Sequence, residues 1–205
     1  MSAAEHRITP ADILPPDEFA AKRAEFRRRL IPVKKNRRIE VGPFATLYFE
    51  NYETMWLQVH EMLYIEKGGG EQIAGELETY NPLIPQGYEL IATLMLEIDD
   101  PARRNATLLK LAGIEEYVSM DLAGHRVQAA PTEYEDRTTP DGKTSSVHWV
   151  RFSFEPEDIA RFRSGEGRVV IEIAHLNYGH TAVMPPETRA ELAKDFDERW
   201  AAGIR

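Results

Sequence analysis

The chain has 205 residues, 42% of them hydrophobic and 29% charged, with a formal net charge of −9 and no cysteine. It can therefore bury a core of ordinary size, and cysteine chemistry of every kind (disulfides, thiolate metal sites, a thiol nucleophile, cysteine-held iron–sulfur clusters) is excluded. A general affinity for nucleic acid or anionic membrane is disfavoured by the acidic balance. The opening MSAAEHRITP lacks the apolar core of a secretory signal, and no apolar run is long enough to span a bilayer. The expectation is a cytoplasmic protein of one domain over residues 1–205, mostly helical over 1–85 and sheet-rich over 86–205.

In chain order, Thr9-Pro10-Ala11-Asp12 reads as a helix start, with a cap, a first-turn proline and an acid near the positive helix end. After Pro15-Pro16 a helix is predicted over 16–30, with Phe19, Phe26 and Leu30 on one face, ending before Pro32. Residues 22–38 hold nine Lys or Arg against one acid, a segment of +8; taking it from −9 leaves −17 on the remainder. Residues 37–50 read as two short extended pieces around Gly42-Pro43. A helix over 52–67 stops at Gly68-Gly69-Gly70, and a shorter one follows over 71–80.

The second half changes character. Leu90, Ala92, Leu94, Leu96 and Ile98 alternate in strand fashion. A helix from Asp100-Pro101 runs to about 112, and strands are predicted over 116–122, 126–134, 147–154, 168–176 and 179–184. Thr139-Pro140-Asp141-Gly142 is a turn. A helix over 156–163 and a final one from Pro185-Pro186 to about 200 complete the pattern. Strands joined by turns and short helices, without regular strand–helix alternation, predict an α+β fold: a mainly antiparallel sheet in the second half packed against N-terminal helices.

No common catalytic motif is present. The glycine run at 68–70 follows a helix and lacks a Gly-Lys-Ser/Thr ending. His60-Glu61 is not completed to His-Glu-x-x-His, because position 64 is Tyr. Any site must be assembled from scattered residues. The helix over 52–67 carries too many apolar residues for one stripe, so its polar residues need partners inside the protein. Gln58, Glu61 and Glu66, with Glu50 just before the helix, could line a pocket, bind a metal or act as a base; equally, they could satisfy buried backbone or pair with arginines. His148 and His175 fall in phase with strand core faces, as packed histidines do. His175 lies close in sequence to Tyr178 and His180, and with Glu61 and Glu66 it makes a candidate ligand set for a divalent metal. Tyr80 and Asn81, at a helix end before Pro82, either cap the helix or bind. Arg27, Arg28, Lys34 and Lys35 could hold an anion or an acidic partner. Pairing of the basic run with the protein's own carboxylates, or with those of a second subunit, ranks first, an anionic ligand next and nucleic acid last.

Three stretches carry a resemblance: Phe49-Glu50-Asn51 through Gln58-Val-His-Glu61 to Glu66, Glu76-Leu-Glu78-Thr-Tyr80-Asn81-Pro-Leu-Ile-Pro85 into the strand at Glu89, and Phe152 through Arg168-Val-Val-Ile-Glu-Ile-Ala-His175-Leu-Asn-Tyr178. Together they resemble a bacterial family known only as a domain of unknown function, often encoded beside rubrerythrin-like and iron–sulfur oxidoreductase proteins. The resemblance implies a metal-binding or accessory role in redox or iron-linked metabolism, with a redox-protein partner, and it carries no mechanism. The alternatives are a non-catalytic homodimeric binding or assembly module that contacts an acidic partner, and an enzyme acting on an anionic small molecule with Glu61 or Glu66 as base.

Overall fold

Alternation of apolar residues in six segments of the second half, and in two near position 45, calls for a sheet with one continuous apolar face. A computed structural model describes residues 6–132 and 138–198. The strands are β1 (Arg38–Val41), β2 (Ala45–Phe49), β3 (Glu89–Leu96), β4 (Val118–Leu122), β5 (His125–Pro131), β6 (Val147–Ser153), β7 (Val169–His175) and β8 (Tyr178–Val183). All eight join one antiparallel sheet in the order β1-β2-β3-β6-β5-β4-β7-β8. The sheet curls until β1 and β8 approach each other, making a nearly closed barrel. The fold is α+β as expected, except that the mostly helical first part also supplies β1 and β2.

The barrel interior is filled by inward residues of every strand, among them Leu47, Leu94, Val150, Phe152 and Ile171, all fully buried. Two helical segments plug its ends. At one end, α4 (Pro101–Leu108) and the turn after it insert Leu108, Leu111 and Ile114. At the other, α5 (Pro156–Ser164) and α6 (Pro186–Leu192) bring Phe162 and Phe196 against Phe154, with ring centroids 5.0–6.0 Å apart. The predicted ends of the 126–134 strand and of the last helix include residues outside the described ones.

The N-terminal helices form an outer layer. They are α1 (Pro16–Lys35), α2 (Tyr52–Glu66) and α3 (Gly70–Tyr80). Met55 and Val59 of α2 and Leu77 of α3 pack on Ile91 and Trp149, which point outward from β3 and β6. β3 is therefore covered on both faces, and its burial is nearly continuous. α1 lies on α2 through Phe19, Phe26 and Leu30 against Trp56 and Leu57. It continues through Pro32 to Lys35, five residues beyond the predicted end, because Leu30 and Val33 are held by that contact on either side of the proline. Proline costs the helix one hydrogen bond, and tertiary packing overrides it here.

Two side chains fasten the barrel. The Tyr178 hydroxyl donates to the Val41 carbonyl (2.6 Å) and accepts from the N–H groups of Ala45 (3.1 Å) and Phe44 (3.3 Å). It thus bridges β8 to the β1–β2 turn, where no strand ladder forms. Burial raises the Tyr178 phenol above its ordinary range, which keeps the donor proton in place. The turn must also be glycine. Gly42 has φ 78°, and a Cβ there would lie 2.6–2.7 Å from the His180 ring and the Tyr178 hydroxyl. At the opposite end Arg37, 1% exposed, donates to the carbonyls of Phe49 (3.0 Å) and Glu50 (2.9 Å) and pairs through both terminal nitrogens with Asp195, with Glu191 at 3.8 Å. That ion pair ties the start of β1 to the C-terminal segment after α6.

Two expected outcomes follow from these contacts. Tyr178→Phe leaves buried backbone groups unpaired and should cost about 1–3 kcal/mol in urea denaturation, whereas Tyr48→Phe, which loses only an exposed bond to Glu97, should cost about 0.5 kcal/mol. Asp195→Asn strands the Arg37 guanidinium and should cost about 3–5 kcal/mol, while the double change Arg37→Leu with Asp195→Leu should cost much less. Equal losses for the single and double variants would remove the ion pair from this role.

Candidate functional site

The sheet's helical layer contains a cleft. Its walls are the segment before α1 (Ile13, Leu14), the first turns of α1 (Phe19, Ala20), the last turns of α2 (His60, Leu63, Tyr64) and Ile73 of α3. The volume is about 560 Å³. These walls arise because α2 is longer than the sheet face it covers. Its first three turns bury Met55, Leu57 and Val59, but its last turn projects past the sheet and leaves Tyr64 and Ile65 exposed. Lys67, in the left-handed conformation (φ 54°), then ends the helix, and Gly68–Gly70 turn the chain back into α3. The lining is mainly apolar, and its charged members are Asp17 and Lys67, both exposed.

His60 sits in the cleft wall, 2% exposed. Its ring lies 4.0 Å from that of Trp56 and 5.0 Å from that of Phe19, centroid to centroid. Nδ1 donates to the Trp56 carbonyl (2.7 Å), and Nε2 accepts from the Leu14 N–H (3.0 Å). This pattern requires the neutral imidazole, and burial holds its pKa below the ordinary 6.5. His60 therefore fastens the segment before α1 to α2 and offers no free nitrogen to a substrate. A second clamp acts on the same segment: the Asn81 side-chain amide accepts from the Ile8 N–H (2.8 Å) and donates to the Ile8 carbonyl (3.0 Å).

The residues singled out in the sequence do not converge. Glu61 accepts both Nε and Nη2 of Arg23 (2.7–3.1 Å). Glu66 is exposed and accepts from Gln72 across the glycine linker (2.7 Å), so its expected burial is corrected: the turn that carries it has left the sheet. Glu50 accepts from the hydroxyls of Thr54 (2.6 Å) and Thr93 (2.7 Å) at the start of α2. Gln58 reaches the Tyr80 hydroxyl at 3.5 Å, linking α2 to α3. Tyr178 is the barrel clasp. His175 does not meet a carboxylate of α2. Its Nδ1 accepts from the Asn177 N–H (3.2 Å) and its ring stands edge-on to Tyr117. The physical reason is strand order, since α2 covers β3 and β6 while β5 and β4 separate β6 from β7. Among the described residues no group of three or more metal-ligating side chains comes together. His148 does face inward, with Nε2 2.9 Å from the Ser145 carbonyl and Nδ1 3.1 Å from Glu115.

The basic run is divided. Lys22, Arg23, Arg29, Arg37 and Arg38 have carboxylate partners at Glu18, Glu61, Glu53, Asp195 and Glu40. Arg27, Arg28, Lys34 and Lys35 are exposed.

Sequence reading missed His60, Arg37 and Asp195 as organising residues. For His60 a signal existed: it lies four residues after Trp56, one turn along the same face. For Arg37 and Asp195, 158 positions apart, no local pattern could have paired them.

With this geometry established, comparison with known proteins decides the family. The model of a protein of unknown function, DUF3501, matches residues 7–196. The chain belongs to this family. A solved structure described as a novel protein of unknown function from Burkholderia pseudomallei K96243 is similar at 34% identity and a TM-score of 0.85, over 93% of this chain and 99% of that one. No curated protein matches. Among the described residues, no helix is long and apolar enough to cross a membrane.

The clamp at His60 makes a prediction with a definite sign. Because its folded pKa is depressed, its contribution to stability is complete above the ordinary value of 6.5 and is lost as pH falls through the lower folded value. Denaturation midpoints should therefore fall further on acidification for the wild type than for His60→Gln, and the protection of the Leu14 amide against hydrogen exchange, relative to the intrinsic rate at each pH, should fall in the wild type alone. A difference between the two proteins that does not change with pH would separate His60 from this clamp.

Proposed function

We propose that the protein is a non-catalytic binding protein that accepts a small, predominantly apolar molecule in the cleft between the segment before α1, α1, α2 and α3. One observation carries this reading: a cleft of about 560 Å³ with mainly apolar walls, within the size range of small-molecule sites. Its position supports the reading. Two walls belong to elements fastened by side chains, the segment before α1 through His60 and Asn81, and α2 through its packing on the sheet. A third wall, α1, is held by its packing on α2, and the fourth is α3, which the three-glycine linker joins to α2, so its approach can be adjusted without disturbing the barrel. The reading takes the place of a metal-centred one built on His175, Glu61 and Glu66, whose side chains have other partners, with His175 on β7 and the two glutamates on α2.

Calorimetric titration with a panel of aliphatic and aromatic probe molecules tests it. The expected result is saturable one-site binding with a micromolar Kd, on the order of −8 kcal/mol, and a negative heat-capacity change. Ala20→Trp, at an exposed position of the cleft wall, should weaken binding about tenfold or more while the thermal midpoint stays within about 2 °C. Absence of saturable binding across the panel, or binding indifferent to Ala20→Trp, would overturn the proposal.

A further inference from the structure

α1 is twenty residues long, and only one side of it is used by the fold. Phe19, Phe26, Leu30 and Val33 face α2. At 100° per residue, Lys34, Arg27, Ile31, Lys35 and Arg28 occupy a sector about 120° wide turned away from that side, with Ile31 at its middle. Ile31 is 64% exposed, one of the more exposed large apolar side chains of the described residues. The four cations around it are exposed, and among the described residues none forms an ion pair. Of the acids of the same helix, Glu18 and Glu25 fall outside the sector, and Asp17, which falls within it, lies about 21 Å along the axis from Ile31. Five cations of the basic run are matched with carboxylates by the fold, and these four are gathered around an apolar residue instead.

We propose that this face of α1 docks an acidic amphipathic helix of another protein. An apolar side chain of that helix would cover Ile31, and carboxylates three and four residues to either side would meet Arg27, Arg28, Lys34 and Lys35. The argument is charge complementarity around an apolar centre. A helix is the occupant because its i, i+3 and i+4 spacing reproduces that of the stripe. A second copy presenting the same face is disfavoured, since four cations would oppose four. Nucleic acid fits less well, because the sector holds no aromatic residue for base stacking and the rest of the chain carries −17. A bilayer surface fits less well too, as a single isoleucine flanked by charges is not an insertable apolar face.

The probe is a synthetic helical peptide of about 20 residues with glutamates flanking a leucine lane at i, i+4 spacing, compared with its all-glutamine counterpart, a duplex DNA of about 20 base pairs and phosphatidylglycerol vesicles. Anisotropy and sedimentation report binding to the full chain. The expected result is that the acidic peptide binds, that the glutamine peptide binds at least about tenfold more weakly, and that raising salt from about 0.05 to 0.3 M weakens the acidic peptide severalfold. Arg27→Glu with Lys34→Glu should abolish binding. Ile31→Ser should weaken it about fivefold with the salt dependence unchanged, which separates the apolar contact from charge alone. All these positions are exposed, so circular dichroism should show an unchanged fold. Failure of the acidic peptide to bind, indifference to the charge reversal or to Ile31→Ser, or tighter binding of the DNA or vesicles with the same sensitivity to charge reversal, would each overturn the proposal.

Discussion

The architecture depends on closing a sheet whose two end strands never pair. An open eight-stranded sheet would expose two long edges and one end of its apolar face to water. Here a single phenol spans the gap. Tyr178 stands at the first residue of β8 and saturates the last carbonyl of β1 and two amides at the start of β2. It also contributes its ring to the core, where it packs at a tilt against Phe44 with ring centroids 4.5 Å apart. Gly42 is the complement of that contact, because its bare backbone leaves the space the hydroxyl and the neighbouring imidazole occupy.

Closure in turn determines where function can reside. Among the described residues the interior is filled by side chains from every strand and plugged at both ends, so the barrel acts as a scaffold. What remains is the outer helical layer. Past Val59, Leu63 still packs against the cluster over the sheet, and Tyr64 and Ile65 are exposed. There the helix overhangs, and the overhang, the return through three glycines and the N-terminal segment enclose the cleft. The cleft and the basic stripe share α1, which contributes Phe19 and Ala20 to one and Ile31 to the other. A molecule seated in the cleft and a helix docked on the stripe would therefore bear on the same rod.

Two buried charges are each paired with a group of opposite sign. Arg37 has two carbonyls and a carboxylate; Glu89, fully buried, has the Arg151 guanidinium at 3.3 Å and the Gln86 N–H at 3.3 Å. Burial raises the Glu89 carboxyl above its ordinary range, with Arg151 opposing the shift. Both arrangements connect chain segments far apart in sequence or bend a strand entrance, and both are costly to leave half made. They hold the barrel in register with the segments that flank it.

Much of this was legible in the residues. Period-two alternation located β3, β6 and β7, the glycine run at 68–70 marked the end of the helix before it, and the turn at Thr139–Gly142 was read from its residue types, because each of these signals is local and set by backbone geometry. The helix at 16–35 was legible except for its end, where packing carried it past Pro32. The inward phase of His148 and His175 was legible as well. Their partners were not, since periodicity fixes which way a side chain faces and says nothing about which strand lies beside it. The order β3-β6-β5-β4-β7 is a property of the whole sheet, and together with the inward phase of His175 it keeps that residue away from the carboxylates of α2 on the outer face. The sequence by itself determined the elements, their apolar faces and the excess of positive charge on one helix. The tertiary structure decided which charges were consumed, that Arg37 would meet Asp195, that Tyr178 would clasp the barrel and that α2 would overhang to form a cleft, because each of these is a distance between residues that no local interaction brings together.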